Sequence, residues 1–300
     1  MSRQFLVSTV VIALGWVVKR FLVDERGAQV LVRLVFNLTL PALVLTTFDV
    51  ARLEPSLGLL PGIAIAYGLL MTGFGTLVLF RRRPRKERGQ LSMLLPSFNI
   101  GLFAYPLFEA ALGAGALPYL AMFDAGVAFI TFGVAYAVAS HFSREGAKLD
   151  LAFAGRQLLE SIPFVVYLFA VLLRVAGLHL PGPLLDAAGV LARANMPLSL
   201  LVLGMYLGYR ARAGQWRDLA AVLSARYLAG LGVGAGLFLL LPFDATFRTV
   251  VFACLVLPPP LISISYAVTL GYDARLVGLV LNVANLASYF LLWALFHALS

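Results

Sequence analysis

Charge is scarce in this sequence. Asp, Glu, Lys and Arg make up 12% of its 300 residues, against about 25% in ordinary soluble chains, too little to cover a water-facing surface. The acidic sign is the rarer one, with 14 residues against 23 basic ones. Cysteine occurs once, as Cys254, so no internal disulfide can form and no cysteine-based zinc site can assemble. The three histidines, His141, His179 and His297, fall near the ends of apolar stretches, which leaves serine–histidine chemistry without a histidine at membrane depth. Neither an HExxH motif nor a GxxxxGK[ST] loop is present, which argues against zinc proteolysis and ATP-driven pumping. No cofactor and no metal are expected, and the chain does not read as an enzyme. The basic residues lie in short runs rather than on a continuous face, which argues against a nucleic-acid partner.

Apolar residues, in contrast, make up 61% of the chain, and the mean hydropathy is +0.94. A helix needs about 20 largely apolar residues to cross a bilayer. Ten such segments are predicted, at 4–22, 28–48, 57–80, 91–112, 117–140, 159–178, 183–209, 218–241, 246–270 and 274–298. The fold class is therefore all-α and polytopic, with the lipid bilayer as surroundings. Lys19 and Arg20 weaken the first segment but can snorkel to a headgroup boundary. A cleaved signal peptide is the competing reading, disfavoured because no small-x-small site follows it.

Seventeen of the 23 basic residues fall in alternate loops. Lys19, Arg20, Arg26 and Arg33 follow the first span. Arg81, Arg82, Arg83, Arg85, Lys86 and Arg88 follow the third, and Arg144, Lys148 and Arg156 the fifth. Arg210, Arg212 and Arg217 follow the seventh, and Arg275 the ninth. The opposite loops hold little beyond Arg3, Arg52, Arg174 and Arg248. Positive loops stay cytoplasmic, so both termini are expected outside the cytoplasmic membrane. The run RRRPRKER reads as a topology signal ahead of a lipid-binding patch.

The polar loop around His141 to Asp150 divides the spans five and five. An odd number per half inserts the halves with opposite orientation, the arithmetic of an inverted repeat. The expected organisation is a first repeat over 1–141, a linker over 142–158 and a second repeat over 159–300. Proline spacing supports it. Pro41 to Pro106 is 65 positions and Pro197 to Pro259 is 62. Proline inside a helix removes a backbone hydrogen bond and clashes with the preceding turn. At membrane depth, unwound backbone survives only inside protein or beside a water-filled cavity. The fourth span, with Ser97, Asn99, Gly101 and Pro106, and the ninth, with Pro258, Pro259 and Pro260, should both break. The second halves are expected to begin near Pro106 and after Pro260, so two half-helix N-termini converge on a site suited to an anion. Packing kinks are the bland alternative.

At these residues the sequence resembles the auxin efflux carrier family in its bacterial branch. The stretches carrying the likeness are LVFNLTLPALVLTTF, SFNIGLFAYPLFEAALGAGALPYLAMFD, MPLSLLVLGMYLG and LPPPLISISYAVTLGYD, in that order and covering essentially the whole chain. The resemblance implies ten spans in two inverted repeats, an architecture shared with bile acid/sodium symporters. It implies a scaffold of spans 1, 2, 6 and 7 and a transport domain of spans 3–5 and 8–10 that moves like an elevator. Plant members export auxin, and bacterial relatives include proteins assigned to malonate or malate. Carried over, Asn99 and Pro106 fall on the fourth-span crossover, Pro259 and Pro260 on the ninth, and Asn37 and Pro41 on the facing scaffold wall. Ser263 departs from the asparagine of many relatives. Asn282 and Asn285 make the tenth span more polar than usual. Relatives dimerise, so a homodimer is implied, although nothing in this chain establishes it.

Single residues carry competing readings. Asn99 is either a cap on the broken helix or a hydrogen bond to substrate, and both can hold. Asn37 is helix–helix glue or part of the site, and Gly101, Ser263 and Ser265 join the candidate substrate set. Asp124, about seven residues into its span, reads as a residue near the outer interface or as a coupling site. Arg193 is expected to pair with Asp186 or to hold a substrate carboxylate. Asn282 and Asn285 are further coupling candidates. Gly230, Gly232, Gly234 and Gly236 read as close helix packing. The function expected is a secondary carrier for a small organic anion or carboxylate, with protons as the coupling ion and sodium left open. A channel or sensor is the alternative, and an intramembrane enzyme the weaker one.

Overall fold

The computed structural model describes residues 2–51, 54–143, 151–208 and 214–299. Helices are the only regular structure among the described residues, with no strand among them. In chain order the helices are α1 (Ser2–Phe21), α2 (Glu25–Val50), α3 (Pro55–Leu79), α4 (Arg85–Ser92), α5 (Ile100–Leu112), α6 (Ala114–Ser143) and α7 (Leu151–Glu160). After these come α8 (Ile162–Val175), α9 (Gly182–Met205), α10 (Trp216–Leu240), α11 (Ala245–Leu255), α12 (Ile262–Thr269) and α13 (Ala274–Ala298). Six of them, α2, α3, α6, α9, α10 and α13, are long and apolar enough to cross a membrane. The chain is thus a polytopic helical membrane protein. Helices also fall on the other expected spans, namely α1, the shorter α8, and two broken pairs, α4 with α5 and α11 with α12, none of them matching the six in length and apolarity. The expected linker over 142–158 overlaps helix α7, which runs on to Glu160. Arg52, Arg144, Lys148, Arg210 and Arg212 lie outside the described residues.

Helix α1 packs on α9, α2 on α8 and α9, α3 on α6, and α10 on α11. Small residues set the closest of these approaches. A Cβ on Gly204 would stand 1.9 Å from the Ile12 carbonyl, and one on Gly15 2.1 Å from the Leu201 carbonyl. In α10 the glycine stripe divides by helical phase. Gly230 lies against the Leu255 carbonyl and Gly234 against the Phe252 ring, whereas Gly232 and Gly236 face open space. The expectation of four packing glycines is corrected to two, because positions i and i+4 share a face and i+2 does not. Gly230→Ala should therefore lower stability by about 1–3 kcal/mol through overpacking, and Gly232→Ala should leave it unchanged or raised. Thermal unfolding of the two purified variants side by side checks this.

The basic run of the third loop anchors structure. Arg83 pairs with Asp218 of α10 at 2.5 Å, Arg85 donates to the His141 carbonyl at 2.5 Å, and Arg88 Nε donates to the Thr76 carbonyl at 2.8 Å.

Both proline-marked interruptions form, but the first lies upstream of its expected place. Helix α4 stops at Ser92, and the chain is unwound through 93–99 before α5 begins at Ile100. Pro106 sits inside α5. A wide π-type turn over Ile100–Ala104 precedes it, in which the Asn99 and Ile100 carbonyls accept from the Ala104 and Tyr105 amides five residues on, a bonding pattern that tolerates the N–H missing at proline. The break belongs instead to Pro96, which disfavours helix at Leu95 and contributes no N–H. In the second interruption Pro258, Pro259 and Pro260 remove three consecutive donors, and the chain is unwound until Ile262.

Candidate functional site

The unwound segments are bonded to each other. Asn99 N donates to the Pro258 carbonyl at 2.8 Å. Around this junction lies a cavity of about 610 Å³. Its mouth lies by the exposed Glu25 and Glu160, and it runs inward to the buried Asn99, Asp124 and Tyr167. The starts of both resumed helices line it, through Asn99, Ile100 and Gly101 on one side and Pro260, Leu261 and Ile262 on the other. Phe36, Phe98, Phe132, Val127 and Ile264 give it an apolar wall, and Asn37, Thr131 and Ser265 add polar groups. Arg33, counted above as a loop residue, lies in α2 and faces the cavity. Among the described residues no cluster of acidic, histidine or cysteine side chains could hold a metal ion.

Three of the four wide turns among the described residues border this chamber. The turns over Val35–Thr39, Ile100–Ala104 and Phe129–Ala135 contribute Phe36 and Asn37, Ile100 and Gly101, and Thr131 and Phe132. The fourth, Phe74–Leu79, lies elsewhere in α3.

Asp124 is buried within the protein. It is 8% exposed and forms part of the cavity lining. Its helix has the largest buried share of the six long ones. The Tyr167 hydroxyl of α8 donates to the Asp124 carboxylate, and lies 3.1 Å from the Tyr105 hydroxyl of α5. No cation pairs with Asp124 among the described residues.

Of the other candidates, Asn37, Asn99, Gly101, Pro260 and Ser265 line the cavity, and Pro41, Pro106, Pro259 and Ser263 do not. The four absent ones are buried in packing beside it, and the Ser263 amide donates to the Pro260 carbonyl at 3.0 Å. Asn99 makes no side-chain cap, so its amide is left to the cavity. Arg193 is exposed on α9 and pairs neither with Asp186 nor with the cavity. Asn195 and Ser199 define the buried face of that helix, and a residue two positions earlier points about 200° away from Asn195. Asn282 and Asn285 are buried in α13 away from the chamber, the first donating to its own Gly278 carbonyl at 2.8 Å.

The sequence reading missed Tyr167, Tyr105, Phe98 and Arg226. Arg226 carried a signal, since a lone arginine inside an apolar span is costly unless it has a partner. The aromatic residues carried none, because their neighbours lie on other helices.

Fold and cavity together define a polytopic helical membrane protein with an amphipathic chamber at the junction of two interrupted helices. No family model matches the chain. A curated protein of Methanothermobacter thermautotrophicus, named an uncharacterized transporter, is 25% identical over 291 residues, covering 93% of this chain and 92% of its own length.

Proposed function

We propose that this chain is a secondary carrier that moves a small organic anion across the cytoplasmic membrane by alternating access. The observation that carries it is the roughly 610 Å³ cavity onto which two resumed helices open. A helix start carries about half a positive charge and leaves N–H groups without helical partners, which suits a carboxylate, although the Ser263 and Ile264 amides of the second start are already bonded to the Pro260 and Leu261 carbonyls. The aromatic and aliphatic wall suits a hydrocarbon body, hence an organic anion. Arg33 also lines the chamber, with Glu25 and Glu160, and offers a guanidinium that can pair with a substrate carboxylate.

In this proposal the chain holds ten spans in two inverted repeats, 1–141 and 159–300, with the termini outside. The mouth beside Glu25 then faces the cytoplasm, and the chain is inward-open. Helices α1, α2, α8 and α9, which pack on one another, form the scaffold. The remaining long helices and the broken pairs form the moving unit, and Asp124 takes up the coupling proton. The resemblance to auxin efflux carriers and the transporter name of the archaeal relative support this assignment.

Solid-supported-membrane recording on proteoliposomes with a panel of mono- and dicarboxylates tests it. Saturable currents are expected for at least one acid, and silence across the panel would count against an organic-anion carrier. Asn99→Leu should fold normally yet bind the active acid at least about tenfold more weakly, as for a lost hydrogen bond to a charged group. Unchanged affinity would assign Asn99 to packing alone.

A further inference from the structure

Arg226 lies within the apolar helix α10, is 3% exposed and forms no ion pair among the described residues. A buried guanidinium needs compensating negative charge. It finds three backbone carbonyls. Nη1 donates to the Leu94 oxygen at 2.6 Å and to the Leu95 oxygen at 2.7 Å, and Nη2 donates to the Leu257 oxygen at 2.7 Å. These oxygens belong to the unwound segments that follow α4 and α11, where carbonyls no longer have helical partners and the helix dipoles end negative. Nearby acceptors are already used. Ser288 Oγ donates to the Val256 oxygen at 2.7 Å, and Asn99 N to the Pro258 oxygen at 2.8 Å. The guanidinium carbon stands 5.1 Å from the centre of the Phe98 ring, and Phe98 lines the cavity. The charge therefore sits one ring behind the cavity wall.

Carbonyl oxygens converging from two unwound segments are the ligands that an alkali cation takes in broken transmembrane helices. We propose that Arg226 is a tethered cation that occupies this carbonyl cluster in place of an alkali ion, ties the two interruptions together, and frees the protein from a sodium requirement. It is a positioning residue, acting on the chamber through the backbone it holds and through Phe98. The inference goes beyond the carrier assignment, and its first test needs no substrate.

Thermal unfolding of the purified protein in detergent is measured in choline, sodium and low, non-denaturing guanidinium chloride. The wild-type midpoint should not change when sodium replaces choline. Arg226→Ala should unfold several degrees lower in choline and recover in guanidinium, with a smaller recovery in sodium. Arg226→Lys, which keeps the charge but not the fork, should fall between the two and ignore sodium. In proteoliposomes, wild-type currents should be equal in sodium and choline. Arg226→Ala should weaken anion binding at least about tenfold, as for a lost charge-assisted contact, with guanidinium restoring it. Sodium stabilisation or activation of the wild type overturns the proposal. So does an Arg226→Ala protein whose deficit guanidinium does not relieve. Should Arg226→Ala not fold, Arg226→Gln decides, since the neutral amide should confer sodium sensitivity, and a sodium-indifferent Arg226→Gln protein overturns the proposal equally.

Discussion

Asp124→Asn should abolish substrate accumulation driven by a pH gradient while leaving substrate exchange intact. The carboxylate lies in the same chamber as the two helix starts, and its one hydrogen bond comes from Tyr167. In its ionised form it would share that low-dielectric space with an anionic substrate, and two like charges there repel strongly. Protonation would remove the repulsion, so under the proposed coupling proton and anion bind together. With one proton per singly charged anion, each unit of pH difference supports about tenfold accumulation. Asparagine imitates the protonated acid. The variant should therefore bind substrate equally well at low and high pH, whereas wild-type affinity should fall as pH rises. Tyr167→Phe is the companion variant. It leaves the acid in place, so coupling should survive, but it orphans buried polar atoms at a stability cost of about 1–3 kcal/mol. Uptake into proteoliposomes with and without an imposed pH gradient separates the two. Undiminished gradient-driven uptake by Asp124→Asn would remove this residue from the coupling step.

Gly101→Leu should bring transport to background without unfolding the protein. Gly101 sits where α5 begins and passes close to α2. A Cβ there would stand 3.0 Å from the Leu40 side chain and 3.0 Å from the Phe36 ring. Those are the ends of side chains, so alanine can be accommodated by small shifts, and Gly101→Ala should lose only part of its activity. Leucine adds a branched group that occupies the chamber and wedges α5 against α2, the contact across which the proposed moving unit must slide. Currents from the three proteins, normalised to folded protein by size-exclusion profile, check the order glycine, alanine, leucine. Wild-type currents from Gly101→Leu would show that this contact neither slides nor borders the substrate.

Much of the helical layout is visible in hydropathy alone. The spans read at 28–48, 57–80 and 274–298 correspond to helices at 25–50, 55–79 and 274–298, because in a bilayer every backbone group must be satisfied within its own helix. The existence of both interruptions was also visible, since proline removes donors wherever it falls. Their positions were less so. Pro96 and Pro106 look alike in sequence, and only the wide turn before Pro106 shows that its missing donor was already accommodated. Depth and phase were the larger gaps. Along its own helix Asp124 looks peripheral, whereas neighbours from other helices bury it. Arg193 and Asn195 are two residues apart and face opposite directions, which no count of apolar residues reveals. Tyr167 acquires its place only by meeting Asp124 across 43 positions of chain.

The wide turns that border the chamber carry one residue more per hydrogen-bonded ring than ordinary helix. That surplus is slack held in the wall itself. Returning one such turn to regular pitch rotates the residues beyond it by up to about 100°, while the flanking helix keeps its bonds. Phe36, Asn37, Thr131 and Phe132 therefore sit on stretches whose girth can change by a local exchange of bonding partners. The lining could thus change outline with no hinge and no unfolding, and under the proposed carrier function the backbone, as well as the side chains, would set which cargoes fit.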